Sequence, residues 1–196
     1  INESQPDFSV SSGGIRFGLT ALKGVGRAFM TGMLKERTEH GPFTDFMDFC
    51  ERMFDCGDMN KRAVENFIKC GALDCFGNHR SELLAVYDTM MDSVASSRKK
   101  NLEGQMGLFA MLEEDAPAAS IPIPKLPELG KGELMVMEKE TTGIYLSGHP
   151  MDDYRQYLKK TRVVPIGILL GEECPYQDDQ MVSVAGIVQD TKMKTT

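Results

Sequence analysis

The run Lys23-Gly24-Val25-Gly26-Arg27 is equipped for one kind of chemistry, the binding of a phosphate group. Two glycines around a single aliphatic residue let the backbone reach positive φ and turn tightly while Val25 stays anchored in a core. An apolar helical phrase (Leu19, Leu22) leads into the turn and a second (Ala28, Phe29, Met33, Leu34) follows at once, the pattern of a helix-hairpin-helix. The first N–H groups of the second helix have no partner within it. Backed by the positive end of the helix dipole, they form a site for a phosphate oxygen. Lys23 and Arg27 flank the turn and add charge. Contacts of this kind grip a nucleic-acid backbone without reading its bases. A tight turn with no ligand would use the same residues, so local charge is the discriminating feature. From Gly14 to His40 five Lys/Arg stand against two acids, in a chain whose net charge is −7. A basic island in an acidic chain is the footprint expected of phosphate binding.

Lys61 and Arg62 are the next candidates. Asn60 suits an N-cap, starting a helix through Cys70 with Val64, Phe67 and Ile68 inward and Gly71 as its stop. Cations in a first turn oppose the helix dipole, at a cost of roughly a few tenths of a kcal/mol, and meeting phosphate would compensate them. Two solvated charges are the alternative. A different chemistry is offered by Gln105-Met106-Gly107-Leu108-Phe109, an apolar phrase in polar, proline-rich surroundings. It reads as a peptide ligand, with Leu108 and Phe109 filling a partner's pocket and Gln105 bonding at its rim; folding back onto the helical domain is the alternative. His149 has no nucleophile or second ligand near it in sequence and reads as a turn-stabilising residue. Five cysteines at irregular spacing fit buried thiols in a reducing compartment. Cys70 and Cys75 have a gap that zinc sites use, but Cys50 and Cys56 are too widely spaced and no histidine pair completes a set.

The elements that must carry these residues are mostly helical. Thr44 suits the cap of a helix whose Phe46, Phe49, Cys50 and Met53 form one apolar stripe, and Asn78 and Ser81 open a longer helix with Leu83, Leu84, Tyr87, Met91 and Val94 on one face. Leu134, Met137, Thr141, Ile144 and Tyr145 recur at helical spacing, and a further helix contains Tyr154, Tyr157 and Leu158. Met181 to Val188 reads as a β-strand. The divisions expected are 1–14 as an extended lead-in, 15–97 as the helix-hairpin-helix domain, 98–130 as a linker, 131–160 as a helical connector and 161–196 as the start of a β domain. Hydrophobic residues at 41% and charged residues at 26% describe a soluble globular chain, and no apolar run approaches the roughly 20 residues of a membrane span. The cytoplasm is the default compartment. From Ala110 to Asp153 nine acids stand against three bases, so this half is not expected to seek DNA.

The stretch I-R-F-G-L-T-A-L-K-G-V-G at 15–26 resembles the start of the helix-hairpin-helix region in alpha subunits of bacterial replicative DNA polymerase III. The resemblance continues in order through G-P-F-T-D-F-M-D-F-C-E-R at 41–52, N-K-R-A-V-E-N-F-I-K-C-G-A-L-D at 60–74 and E-K-E-T-T-G-I-Y-L-S-G-H-P-M-D-D-Y at 138–154. It implies a mainly α fold: a DNA-binding helix-hairpin-helix domain, a linker, further helices and the truncated first strand of an OB-fold, in a piece of a longer chain entered from the fingers domain. It implies contacts to the duplex DNA backbone through Lys23, Gly24, Val25, Gly26, Arg27, Lys61 and Arg62. Gln105, Met106, Leu108 and Phe109 would bind the sliding clamp (the beta subunit), and other replisome subunits would be reached through the parent chain. The parent would be a DNA-directed DNA polymerase using Mg, whose catalytic aspartates lie in a palm domain preceding this chain. The present residues offer no carboxylate set for two metal ions, so neither cofactor nor activity is expected here. A hairpin module of a DNA repair nuclease or ligase, or a protein-interaction scaffold without DNA affinity, are the competing readings.

Overall fold

Phe46, Phe49, Cys50 and Met53 fall at i, i+3, i+4 and i+7, and all four are fully buried along one face of a helix. That face marks the centre of the core. The computed structural model describes residues 1–11, 13–56, 59–104, 121–188 and 191–194. It is mainly helical and divides into two units, 1–146 and 147–196.

In the first unit the chain opens with a small antiparallel ribbon, β1 (Ser9–Ser11) and β2 (Gly14–Arg16), which pairs Val10 with Ile15. Helices α1 (Arg27–His40), α2 (Phe46–Phe54), α3 (Lys61–Lys69) and α4 (Arg80–Gly104) follow. Phe29, Met30, Met33, Phe67, Ile68, Leu83 and Met90 close over the α2 stripe, and Phe49 stands edge-on to Phe43 and Phe67. The cap of α2 is Asp45, whose carboxylate accepts from the Asp48 N–H at 2.9 Å, one residue beyond the expected Thr44. Asn60 caps α3 as expected, accepting from Ala63 N–H at 2.9 Å, and Gly71 follows that helix with φ +79°. α4 runs on to Gly104, past the expected end near Ser97, because Arg98 to Gly104 contains no proline and several good helix formers.

Two further expectations about this unit are corrected. The helical phrase before the glycine turn is a single 3-10 turn at Leu19–Ala21, since the Leu19 and Thr20 N–H groups donate to Gln5 and Pro6 carbonyls of the lead-in instead of extending a helix. Helix α5 (Lys131–Thr142) ends before Ile144 and Tyr145, and of the expected stripe it buries only Thr141, with Met135 and Glu138 in place of Leu134 and Met137. Glu138 takes a core position because Arg80 meets it at 3.1 Å, while Arg80 also holds Asp74 at 2.8 Å. Residues 121–130 are extended and strapped to α4: Ile121 and Ile123 pack on the core, and Ser81 Oγ donates to the Pro127 carbonyl at 2.8 Å.

The second unit contains α6 (Arg155–Lys160), α7 (Ile166–Leu169) and one parallel bridge between Val163 and Ser183. None of its described residues is buried. The expected strand over Met181–Val188 contributes only that bridge, because no neighbouring strand among the described residues offers a ladder and a lone strand is not stable. The His149 ring does serve its turn, Nδ1 accepting from Met151 N–H at 3.1 Å. No described helix is long and apolar enough to cross a membrane.

Candidate nucleic-acid interface

The turn between the 3-10 segment and α1 is held on two sides. Lys23 N–H donates to the Thr141 carbonyl at 3.2 Å, and the Lys23 carbonyl accepts from Asn66 Nδ2 at 2.6 Å. A trans peptide sets its C=O and N–H in opposite directions, so fixing the Lys23 carbonyl toward Asn66 sends the Gly24 N–H away from α3. Gly24 makes the turn with φ +75°, a conformation strained for any side chain, whereas Gly26 is extended and leaves the cap of α1 without a side-chain acceptor. Val25 is buried beneath them.

Among the described residues the N–H groups of Gly24, Gly26, Arg27, Ala28 and Phe29 have no hydrogen-bond partner; Val25 N–H reaches the Leu22 carbonyl at a long 3.4 Å. Gly24, Gly26, Arg27 and Ala28 are exposed. A depression of about 440 Å³ lies over this row, lined by Gly24, Val25, Gly26, Ala28, Phe29 and Asn60. It therefore meets the starts of two helices, α1 through Gly26 and α3 through its cap, and both dipoles present their positive ends to it. The geometry suits an oxyanion.

The cations are not equivalent. Neither Lys23 nor Arg62 has an ionic partner among the described residues, and the stem of Arg62 lies alongside Gly24, within 3.7 Å of where a Cβ would stand. Arg27 approaches Asp7 only at 3.9 Å, and both are well exposed. Lys61 is committed elsewhere, with Asp88 at 2.5 Å and Asp92 at 2.7 Å, and the hydrogen bonds its ammonium donates to those carboxylates raise its pKa above the ordinary lysine value. Its misplacement on the α3 dipole is thus compensated within the fold.

Asn66, and the part that the Thr141 carbonyl plays at the turn, escaped the sequence reading. A signal existed for the first: Asn66 is a polar residue at a buried position on α3, beside Ala63 and Phe67. Gln105, Met106, Leu108 and Phe109 lie outside the described residues. Of the five cysteines, expected as buried thiols, only Cys50 and Cys70 are buried, which pushes their thiols up to about 12 and about 11 and leaves these two inert; Cys75 is exposed. Among the described residues no group of three or more His, Cys, Asp or Glu is arranged to hold a metal ion.

Residues 1–83 match the family model described as a helix-hairpin-helix motif. The chain is 34% identical over 197 residues to the DNA polymerase III subunit alpha of Vibrio cholerae, covering 100% of this chain and 17% of that protein. It is 37% identical over 169 residues to that of Chlamydia pneumoniae (85% of this chain, 14% of that protein) and 38% identical over 154 residues to that of Thermus aquaticus (79% and 12%).

Proposed function

We propose, from the premise that this chain belongs to the family of DNA polymerase III alpha subunits, that its hairpin unit grips the backbone of duplex DNA for the parent polymerase. The observation that carries this reading is the set of N–H groups of Gly24, Gly26, Arg27, Ala28 and Phe29 without a partner among the described residues, set over a depression shared by two helix starts and flanked by Lys23 and Arg62, neither of which has an ionic partner among those residues. Arg27 and, more weakly, the neutralised Lys61 complete the proposed contact set. The grip is independent of sequence, since nothing in it reads a base edge.

The chain spans 12–17% of the length of the three relatives named, so template-directed synthesis by the whole protein is itself a proposal. Within it we assign this chain a supporting part, inactive alone and cytoplasmic. Gln105, Met106, Leu108 and Phe109 would tether the enzyme to its sliding clamp, turning a weak hold into a long-lived one through effective concentration. That assignment and the assignment of 161–196 to the start of an OB-fold rest on the resemblance. Leu108→Ala/Phe109→Ala should abolish clamp capture, and undiminished capture would remove the motif from the account.

Duplex affinity measured against salt tests the grip. Each phosphate contact contributes a slope of about 0.9 to the fall of log K with log salt. Lys23→Glu/Arg27→Glu should lower affinity at least tenfold at low salt and flatten the slope by about two. Equal, salt-insensitive binding by wild type and variant would leave a scaffold without DNA affinity.

A further inference from the structure

Helix α5 ends against the glycine turn. Its Thr141 carbonyl belongs to the last turn, where a helix leaves its carbonyls without internal partners, and it accepts the Lys23 N–H at 3.2 Å. The bond satisfies both sides: α5 gains a donor for an orphan acceptor, and the turn gains an anchor. Together with the 2.6 Å bond from Asn66 to the Lys23 carbonyl, it pins the peptides on either side of Lys23. Glycine at position 24 makes such pinning necessary, because a residue without Cβ flips its neighbouring peptide readily. A flip would turn the Gly24 N–H inward and spoil the donor row.

What holds α5 at this spot lies one turn back on the same face. Glu138 is only 1% exposed, and its carboxylate accepts from Arg80 Nη1 at 3.1 Å and from Leu146 N–H at 2.9 Å. Arg80 is in turn fixed by Asp74 and by the Lys69 carbonyl at 3.2 Å. Met135, 4% exposed, fills the position before Glu138 on this face. We infer that α5 is a strut that sets the hairpin's donor array from outside the hairpin, with Glu138 and the Thr141 carbonyl as its positioning groups. The inference rests on the phosphate-binding reading of the turn, and it places part of that site's control more than a hundred residues downstream.

The test combines amide hydrogen exchange with duplex binding across a salt series, on the 196-residue chain as wild type, Glu138→Gln, Met135→Ala and Met90→Ala, the last a core control on α4. In both α5 variants the Lys23 amide should exchange about tenfold faster relative to the Phe67 amide, and not in Met90→Ala. Duplex affinity at low salt should fall about fivefold in the α5 variants while the salt slope keeps its wild-type value, since every cation remains. Should Glu138→Gln fail to fold, Met135→Ala, which trims the same face without removing a charge, carries the comparison. Unchanged Lys23 protection and affinity in the α5 variants, or an equal loss in Met90→Ala, overturns the strut. If the wild type shows no salt-dependent binding, the phosphate reading fails, and the exchange arm still decides whether α5 holds the turn.

Discussion

At the start of α4 the N–H groups of Arg80 and Ser81 donate to the Glu128 carboxylate at 2.9 and 3.3 Å, and the His79 N–H to Glu82 at 3.2 Å. At the start of α1, Gly26 brings no side chain, the first turn holds no acid, and the N–H groups of Arg27, Ala28 and Phe29 have no partner among the described residues. The two sites have the same backbone chemistry and the same dipole. In one the fold supplies two carboxylates, one of them, Glu128 in the strap, lying 47 residues beyond Ser81. In the other it supplies none and crowds cations nearby. Helix starts in this molecule therefore differ in whether their amides are met, and the unmet amides of α1, with cations beside them, are what the proposed phosphate grip rests on.

Supplying α1 with what α4 already has should give the largest effect. Gly26→Asp offers the first turn its own carboxylate, so the thermal midpoint should hold or rise slightly, a cap substitution from glycine being worth about a few tenths of a kcal/mol. Duplex affinity should fall by more than about tenfold, because the new carboxylate occupies the donors and repels phosphate. Affinity that follows stability upward would break the contrast.

Emptying α4 is the reverse operation. Glu128→Gln should cost about 1 kcal/mol, the worth of a cap, read as a lowered denaturation midpoint and faster exchange of the Arg80 and Ser81 amides, with duplex binding untouched. The same site predicts a pH dependence. Burial alone would raise the Glu128 pKa, but the N–H donors of Arg80, Leu129 and Ser81 outweigh it and hold it below the usual carboxylate value; Glu82 is lowered likewise by donors from His79, Asn78 and Leu126. A depressed carboxylate stabilises fully above its unfolded pKa and ceases to do so as pH falls through the folded one. Protection of the Arg80 amide should thus hold at neutral pH and decline on acidification below the ordinary carboxylate range. An equally steep acid decline in Glu128→Gln would mean the carboxylate is not its source.

The smallest effect sharpens the comparison among cations. Arg62→Ala should reduce the salt slope of duplex binding by about one, whereas Lys61→Ala, removing a charge already met by Asp88 and Asp92, should change it by less than half as much. Equal changes would show that the acids release Lys61 to the phosphate.

Apolar periodicity revealed the inner faces of α2 and α3 because every residue on those stripes is buried for the same reason, exclusion from water. Local chemistry revealed the Asn60 cap. Periodicity failed on α5, where the core position belongs to Glu138, a residue acceptable there only because Arg80, 58 positions away, arrives to neutralise it. Long-range partners likewise undid the free-cation reading of Lys61 and shortened the helix before the turn, whose donors the lead-in takes. The glycine turn itself was legible from its residues, while the bonds from Asn66 and Thr141 that aim it were not, since neither lies within 40 residues of Lys23.

Arg80 has a consequence for autonomy. Its guanidinium pairs with half-exposed Asp74 on one side and buried Glu138 on the other, so the hairpin region and α5 share one ion-pair network. A polypeptide trimmed before Lys131 would lose Glu138 and with it the buried half of that network, leaving Arg80 with Asp74 and the Lys69 carbonyl. Through Arg80 the hairpin's core and α5 are tied into the same compact unit, 1–146, and a hairpin transplanted into another protein should be moved together with α5.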